Sequence, residues 1–166
     1  MILIRSYIEE NDAQPVGRLI EETYRKFNLG FASPAEEETL LGPFSQAGSD
    51  EPVHLEAIAR ALRAERIFVA EDHGEIVGVL RCRKERLQSL FVRGDHHRQG
   101  IGRSLVEHCE SWCASQGSTV VRLAATLYAV PFYEAMGYRR STGVRCGWSF
   151  EGQGLQYQPM LKRLKS

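Results

Sequence analysis

Residues 86–117 constrain the fold more than any other stretch of the chain. "RLQSLFV" reads as a strand, "RGDHHRQG" as a loop, and "GIGRSLVEHCESWCASQ" as a helix. The helix carries Ile101, Leu105, Cys109 and Trp112 on one stripe, and Gly117 stops it. Gly100 and Gly102 stand at its mouth. The first amides of a helix have no internal partners and carry the positive end of its dipole. Small residues there let a phosphate approach those amides. Arg98, Gln99, Arg103 and Ser104 add side-chain donors. The glycines would equally serve a tight turn with no ligand, and this stretch alone leaves both readings open.

The rest of the chain supplies a sheet for that helix. Ile2, Ile4 and Ser6 alternate with Leu3, Arg5 and Tyr7, as in a strand. Asn11 or Asp12 is expected to cap a helix carrying Val16, Leu19, Ile20, Tyr24 and Phe27. Residues 28–50 are broken by Gly30, Pro34, Gly42, Pro43 and Gly48, around a short helix near "SPAEEETLL". Another helix is expected from Pro52 to about Arg63. "RIFVAED" and "EIVGVLRCRK" form a hairpin through His73-Gly74. "TVVRLAA" is a buried strand, and "AVPFYEAM" is a short helix with Pro131 in its first turn. Strands near "YRRSTGV" and "LQYQPMLKRL" close the chain, with "CGWSFEGQG" as the loop between them. The order β-α-α-α-β-β-β-α-β-α-β-β predicts one α/β domain over 1–166, a single mixed sheet flanked by helices.

Composition removes several classes of function. The 43% of hydrophobic residues suits one domain with a core of its own. Basic and acidic residues balance at 21 each, and no basic-aromatic pattern occurs, so no nucleic-acid role is expected. "MILIRSYIEE" becomes charged too early for a signal peptide, and no apolar run is long enough to span a bilayer. A cytoplasmic protein without membrane contact is the expectation. Cys82, Cys109, Cys113 and Cys146 include no CxxC pair and read as reduced core thiols. Asp95, His96 and His97 are too close along one loop to chelate together, so no metal site is expected. Two phosphate motifs fail on inspection. His97 stands where a P-loop needs its first glycine, and Leu105 stands where a Rossmann fingerprint needs its third.

"LQSLFVRGDHHRQGIGRSLVEHCESW" resembles the acetyl-CoA-binding segment of the GNAT acetyltransferase superfamily, and "LAATLYAVPFYEAMGYRR" resembles that family's second segment. The resemblance covers about residues 2–7 and 66–164 and leaves the 28–50 insert unexplained. It implies a mostly antiparallel mixed sheet with one splayed strand pair, and acetyl-CoA as co-substrate. The pyrophosphate would rest on amides from about His97 through Arg98, Gln99, Gly100, Ile101, Gly102 and Arg103 to Ser104. The pantetheine arm would run along Leu90, Phe91 and Val92, with an amide near Val92 polarising the thioester carbonyl. Thr126, Ala129 and Phe132 complete the implied cofactor contacts, although of the Phe132-Tyr133 pair Phe132 is the one read as core. Tyr133 falls on the family tyrosine that faces the sulfur, where a phenol can protonate the leaving thiolate.

The departures from the family pattern are specific. His97 occupies the Gln/Arg position, so the backbone would carry most of the phosphate site. Tyr128 stands where the family has Asn, with Thr126 as the substitute side-chain acceptor. Arg86 and Gln88 occupy the positions where many members keep a catalytic Glu, and Glu85 is out of phase. His54, His73 and Glu134 are weak substitutes, and no general base is assigned. The first helix and the insert would form the acceptor pocket, with Tyr24, Phe27, Asn28 and Phe31 as candidates. Tyr24 and Phe27 also fit the core stripe. Glu36, Glu37 and Glu38 would attract a cation or simply face solvent. Trp148 and Phe150 suit a substrate wall, a homodimer contact or packing back on the sheet. The expected activity is acetyl transfer to a primary amine of a small molecule. The alternatives are a non-catalytic acyl-CoA-binding module and transfer to a protein or peptide amine.

Overall fold

The computed structural model describes residues 1–165. Strands β1 (Ile2–Ser6), β2 (Arg66–Asp72), β3 (Glu75–Arg83), β4 (Arg86–Val92), β5 (Val120–Thr126), β6 (Arg139–Arg140), β7 (Arg145–Ser149) and β8 (Gly152–Arg163) form one sheet. Its order is β1-β2-β3-β4-β5-β8-β6, and β7 also pairs with β8. Every pairing is antiparallel except β4 with β5. Helices α1 (Glu9–Asn28), α2 (Pro34–Leu41) and α3 (Pro52–Leu62) precede β2, while α4 (Ile101–Ser115) and α5 (Val130–Ala135) flank β5 in the chain.

Each face of the sheet has its own core. Leu105, Val106 and Cys109 of α4 pack with Leu80, Leu87, Val121 and Leu123 on one side. Val16, Leu19 and Ile20 of α1 pack with Ile58, Val69 and Val79 on the other. A register shift near Arg81/Cys82 leaves an extra residue in β4, since Ser89 faces Arg81 and Leu87 faces Cys82. That bulge at Gln88 lets Leu87 and Leu90 share the α4 side while Phe91 joins the α1 side.

Several local features depart from the sequence reading. Helix α1 starts at Glu9 with Ile8 as its cap, so neither Asn11 nor Asp12 caps it. Asp12 lies in the first turn and reaches back to accept the Ile8 amide at 2.8 Å. The "YRRSTGV" strand shrinks to Arg139–Arg140, and half of the loop after it is strand β7. Cys82, Cys109 and Cys113 are buried, but Cys146 is exposed on β7, outside the core. The alternation of β7 against one sheet edge, rather than two, leaves that thiol facing out.

The 28–50 insert is ordered by local chemistry. Ser33 and Glu36 form a reciprocal capping box, with Pro34 at the start of α2. A 3₁₀ turn over Gly42–Gln46 follows. The β7–β8 hairpin is bolted to this segment. The Tyr24 hydroxyl donates to Ser149 Oγ at 3.0 Å, and Ser149 donates to the Leu40 carbonyl at 2.7 Å. Phe150 at the hairpin tip lies against Gly42, where a Cβ would come within 2.4 Å of the ring. Trp148 stays 65% exposed and Phe150 48% exposed, so only the latter leans back onto the insert.

Candidate active site

Strands β4 and β5 touch only at their start. Their single ladder pair is Arg86 with Arg122, and the Arg122 amide donates to the Glu85 carbonyl at 2.9 Å. Beyond that point the strands part, leaving an unpaired edge inside the sheet. The Arg93 amide donates to the Val77 carbonyl at 2.8 Å. Alternation along β4 therefore turns the peptide groups of Leu90 and Val92 away from β3 and into the gap. An extended ligand with amide groups can pair with such an edge as an added strand would.

A cleft of about 680 Å³ occupies this gap. Leu90, Phe91 and Val92 form one side, and Thr126, Ala129 and Phe132 form the other. His97, Arg98, Gly100, Ile101, Gly102 and Arg103 close one end. Ser104 lies off the lining, because its amide donates to the Gly100 carbonyl at 3.0 Å inside the helix. Gln99 also lies off it, with its side chain turned back to the Asp95 carbonyl at 3.3 Å. The His97 amide donates to the Gly94 carbonyl at 3.4 Å. The amides of Ile101, Gly102 and Arg103 have no backbone partner among the described residues. The stretch of unpartnered amides is thus shorter than His97 to Ser104.

The two glycines do different work. Gly100 is the helix cap at φ +81, a left-handed conformation that favours glycine, with open space where a Cβ would go. At Gly102 a Cβ would sit 3.1 Å from Phe132 Cζ. Gly102 is therefore small at least partly for the phenyl ring packed over it. Phe132 is half-buried in the cleft wall, and Tyr133 is the core member of the pair, which reverses the packing expected from the sequence. On the short α5 adjacent residues point about 100° apart, so one faces the cleft and its neighbour the core.

Tyr133 is 5% exposed, packed between Phe132 at 5.1 Å and Tyr138 at 5.7 Å between ring centroids. It does not line the cleft, and its hydroxyl has no hydrogen-bond partner among the described residues. Burial pushes its pKa well above the ordinary phenol value, with a smaller push from Cys109. Thr126 makes no side-chain cap bond, contrary to expectation; it ends β5 with its side chain at the cleft.

Phe27 of α1 lies across the mouth of the cleft. Its ring is 4.7 Å from that of His97 and 5.1 Å from that of Tyr128. His97 Nε2 lies 2.7 Å from the Val92 carbonyl and donates to it, so the imidazole is not directed at the helix amides. Thr23, Asn28, His96, Tyr128 and Pro131 also reach the lining. Asn28 is a pocket candidate by its place after the first helix, and Tyr128 stands at the family's Asn position; His96 and Pro131 have only their proximity to the glycines or to "FYE", and Thr23 has no signal in the sequence. Tyr24 is buried beneath the cleft in the α1 core, and Phe31 is exposed outside it.

Charge in the cleft has one sign. Arg98 and Arg103 line it, and no Asp or Glu does among the described residues. The candidate bases lie elsewhere. His54 pairs with Ser49 at 2.7 Å, His73 rests on Asp72 at the β2–β3 turn, and Glu134 faces Arg140 at 3.8 Å. Glu85 sits in the β3–β4 turn at φ +66, at the closed end of the splay. Among the described residues no group of three potential ligands could hold a metal ion, and no helix is long and apolar enough to cross a membrane.

Known proteins match this arrangement. A family model described as "Acetyltransferase (GNAT) domain" matches residues 36–164, well over half of the chain. Human N-acetyltransferase 8 is 31% identical over 101 residues, covering 52% of this chain and 44% of that protein. The chain thus spans less than half the length of that relative. The PaiA N-acetyltransferase of Thermoplasma acidophilum, solved in complex with coenzyme A, superposes with a TM-score of 0.72 at 18% identity over 99% of each chain. A GCN5-related N-acetyltransferase of Rhodopseudomonas palustris gives 0.71 at 20% identity, covering 98% of this chain and 95% of that one. At such low identity these structures attest the fold, and the family match adds the lineage: the chain belongs to the GNAT acetyltransferase family.

Proposed function

We propose that the protein transfers the acetyl group of acetyl-CoA to a primary amine of a small molecule. One observation carries the reading: free amides at the start of α4 and an unpaired β4 edge meet in a single cleft. The pyrophosphate would rest on the amides of Ile101, Gly102 and Arg103, with Arg98 and Arg103 supplying positive charge. The pantetheine amides would pair with the Leu90 peptide groups and the Val92 amide, past Thr126, Ala129 and Phe132, since the Val92 carbonyl already accepts from His97. The coenzyme A bound to the Thermoplasma relative supports this choice of ligand.

In the reaction, the amine nitrogen attacks the thioester carbonyl carbon, and the carbon–sulfur bond then breaks. A β4 amide in the gap stabilises the oxyanion between these events. The departing thiolate takes a proton, and Tyr133, which adjoins the cleft-lining Phe132 without lining the cleft itself, is the proposed donor; its phenolate is reprotonated from water. Its buried phenol is neutral at working pH and has no competing partner among the described residues. With no carboxylate on the cleft wall among the described residues, the amine proton leaves to water.

A small acceptor is the proposed substrate, although apart from Asn28 neither the insert nor the β7–β8 hairpin lines the cleft itself. The insert and the β7–β8 hairpin are tied together through Tyr24, Ser149 and Leu40, which encloses the sheet on the α1 side. The missing carboxylate favours the second reading, a module that binds acyl-CoA without turnover. Both are tested by giving the protein acetyl-CoA with amino acids, polyamines, aminoglycosides and peptides, and measuring CoA release. Turnover of a small amine is expected. Tight CoA binding with no release for any acceptor would establish the second reading instead.

A further inference from the structure

We infer that His96 is a positioning residue that pins the phosphate-binding loop to the β2–β3 hairpin, acting as an imidazolium held between two carboxylates. The inference rests on the proposed reading of that loop as the anchor of the cofactor. His96 Nδ1 lies 2.7 Å from Asp95 Oδ1, and Nε2 lies 2.9 Å from Asp72 Oδ2. Ionised carboxylates only accept hydrogen bonds, and a neutral imidazole carries one N–H. Satisfying both contacts requires both ring nitrogens to be protonated. Asp95 belongs to the loop itself, whereas Asp72 ends β2. The ring therefore joins two segments that the backbone brings together only through β3 and β4. Its side chain is only 12% exposed, and it borders the cleft beside His97.

The surrounding charges keep both carboxylates ionised. Arg93 donates to Asp95 at 2.8 Å and to Glu75 at 3.0 Å. Together Arg93 and His96 hold the Asp95 pKa down to about 2. Asp72 is lowered by His96 first, and it also faces His73 at 2.9 Å and the Met1 amine at 3.6 Å. In return, Asp95 and then Asp72 raise the His96 pKa above the ordinary imidazole value, against a smaller effect of burial. The sign follows from the raised value. The clamp is complete below about pH 6.5 and is lost as pH rises through the folded pKa. Above it, one of the two hydrogen bonds has no proton, and the loop is freed from the hairpin.

Hydrogen exchange in the free protein tests the clamp without any ligand. The His96 and His97 amides donate to Arg93 and Gly94 carbonyls, so they report loop closure. Their protection factors are expected to fall about tenfold between pH 6.5 and 9, the effect of losing one hydrogen bond to a charged group. His96→Asn should show the lower protection at both pH values. His73→Asn should keep the wild-type profile, which separates the two imidazoles on Asp72. Calorimetric titration with acetyl-CoA then tests the consequence. Wild-type affinity should fall with the loop's protection, and His96→Asn should bind about tenfold more weakly at pH 6.5, for one lost charged hydrogen bond, and converge with wild type at pH 9. Identical exchange profiles in wild type and His96→Asn would overturn the clamp. Altered exchange in a wild type that binds no acetyl-CoA would instead overturn the proposed function and leave the clamp standing.

Discussion

At the scale of one residue, the proposed mechanism turns on Tyr133 as general acid. Its ring is held by Phe132 and Tyr138, so replacing it with phenylalanine keeps the packing and removes only the O–H. A general acid contributes roughly 10²–10⁴-fold, so Tyr133→Phe is expected to lower kcat by about 10²-fold. Acetyl-CoA affinity should stay within about threefold, under 1 kcal/mol. Steady-state kinetics beside calorimetry checks both halves, and an unchanged kcat would remove the acid role. The sequence marked Tyr133 by its place in "VPFYEAMGY" but misjudged its neighbour. Two adjacent aromatics on one turn of helix differ only in direction, and direction depends on how α5 lies against α4. The Phe132 ring over Gly102 is set by that packing.

At the scale of the element, the start of α4 is the proposed anion site. Gly100 at φ +81 lets the chain reverse out of the loop and aim the next three amides into the cleft. A side chain there meets no neighbour within 4 Å, so its cost is purely conformational. Gly100→Ala is expected to lose about 1–2 kcal/mol, the left-handed penalty of an L-residue. For a chain of this size that lowers Tm by about 2–8 °C, readable by calorimetry, and coenzyme affinity should fall with it because the amides shift. A Tm equal to wild type would mean that the turn relaxes without strain. The glycine pair was legible in the sequence, as was the stripe that makes α4 amphipathic. The lengths of β6 and β7 were not, because β7 has little apolar alternation and is held by pairing with β8 on one side.

For the whole molecule, the link from the first strand to the first helix is an internal ion pair that couples stability to pH. Arg5 donates to Asp12 at 2.7 and 3.0 Å, and the Asp12 side chain is 3% exposed. Burial pushes the Asp12 pKa up, but the Arg5 and Ile8 hydrogen bonds and the Arg5 charge outweigh it, so the net shift is downward. A lowered carboxylate contributes stability that is present above its unfolded value near 3.9 and is lost as pH falls through the folded one. Asp12→Asn is expected to destabilise the protein by about 1–3 kcal/mol at neutral pH. Its deficit relative to wild type should shrink below about pH 4 in urea melts. An equal deficit at pH 3 and pH 7 would sink this account. The amino-acid sequence by itself determined the strand and helix order around residues 66–137, the glycine pair at the mouth of α4, and the family, because periodicity and glycine spacing are properties of neighbours along the chain. Only the tertiary structure decided where β4 leaves β5, that the Leu90 and Val92 peptide groups face the gap, that Phe27 and Tyr128 cross its mouth, and that His96 is gripped by Asp72. Those features join residues tens of positions apart, and their energies come from hydrogen bonds and packing that exist only once the sheet has closed around them.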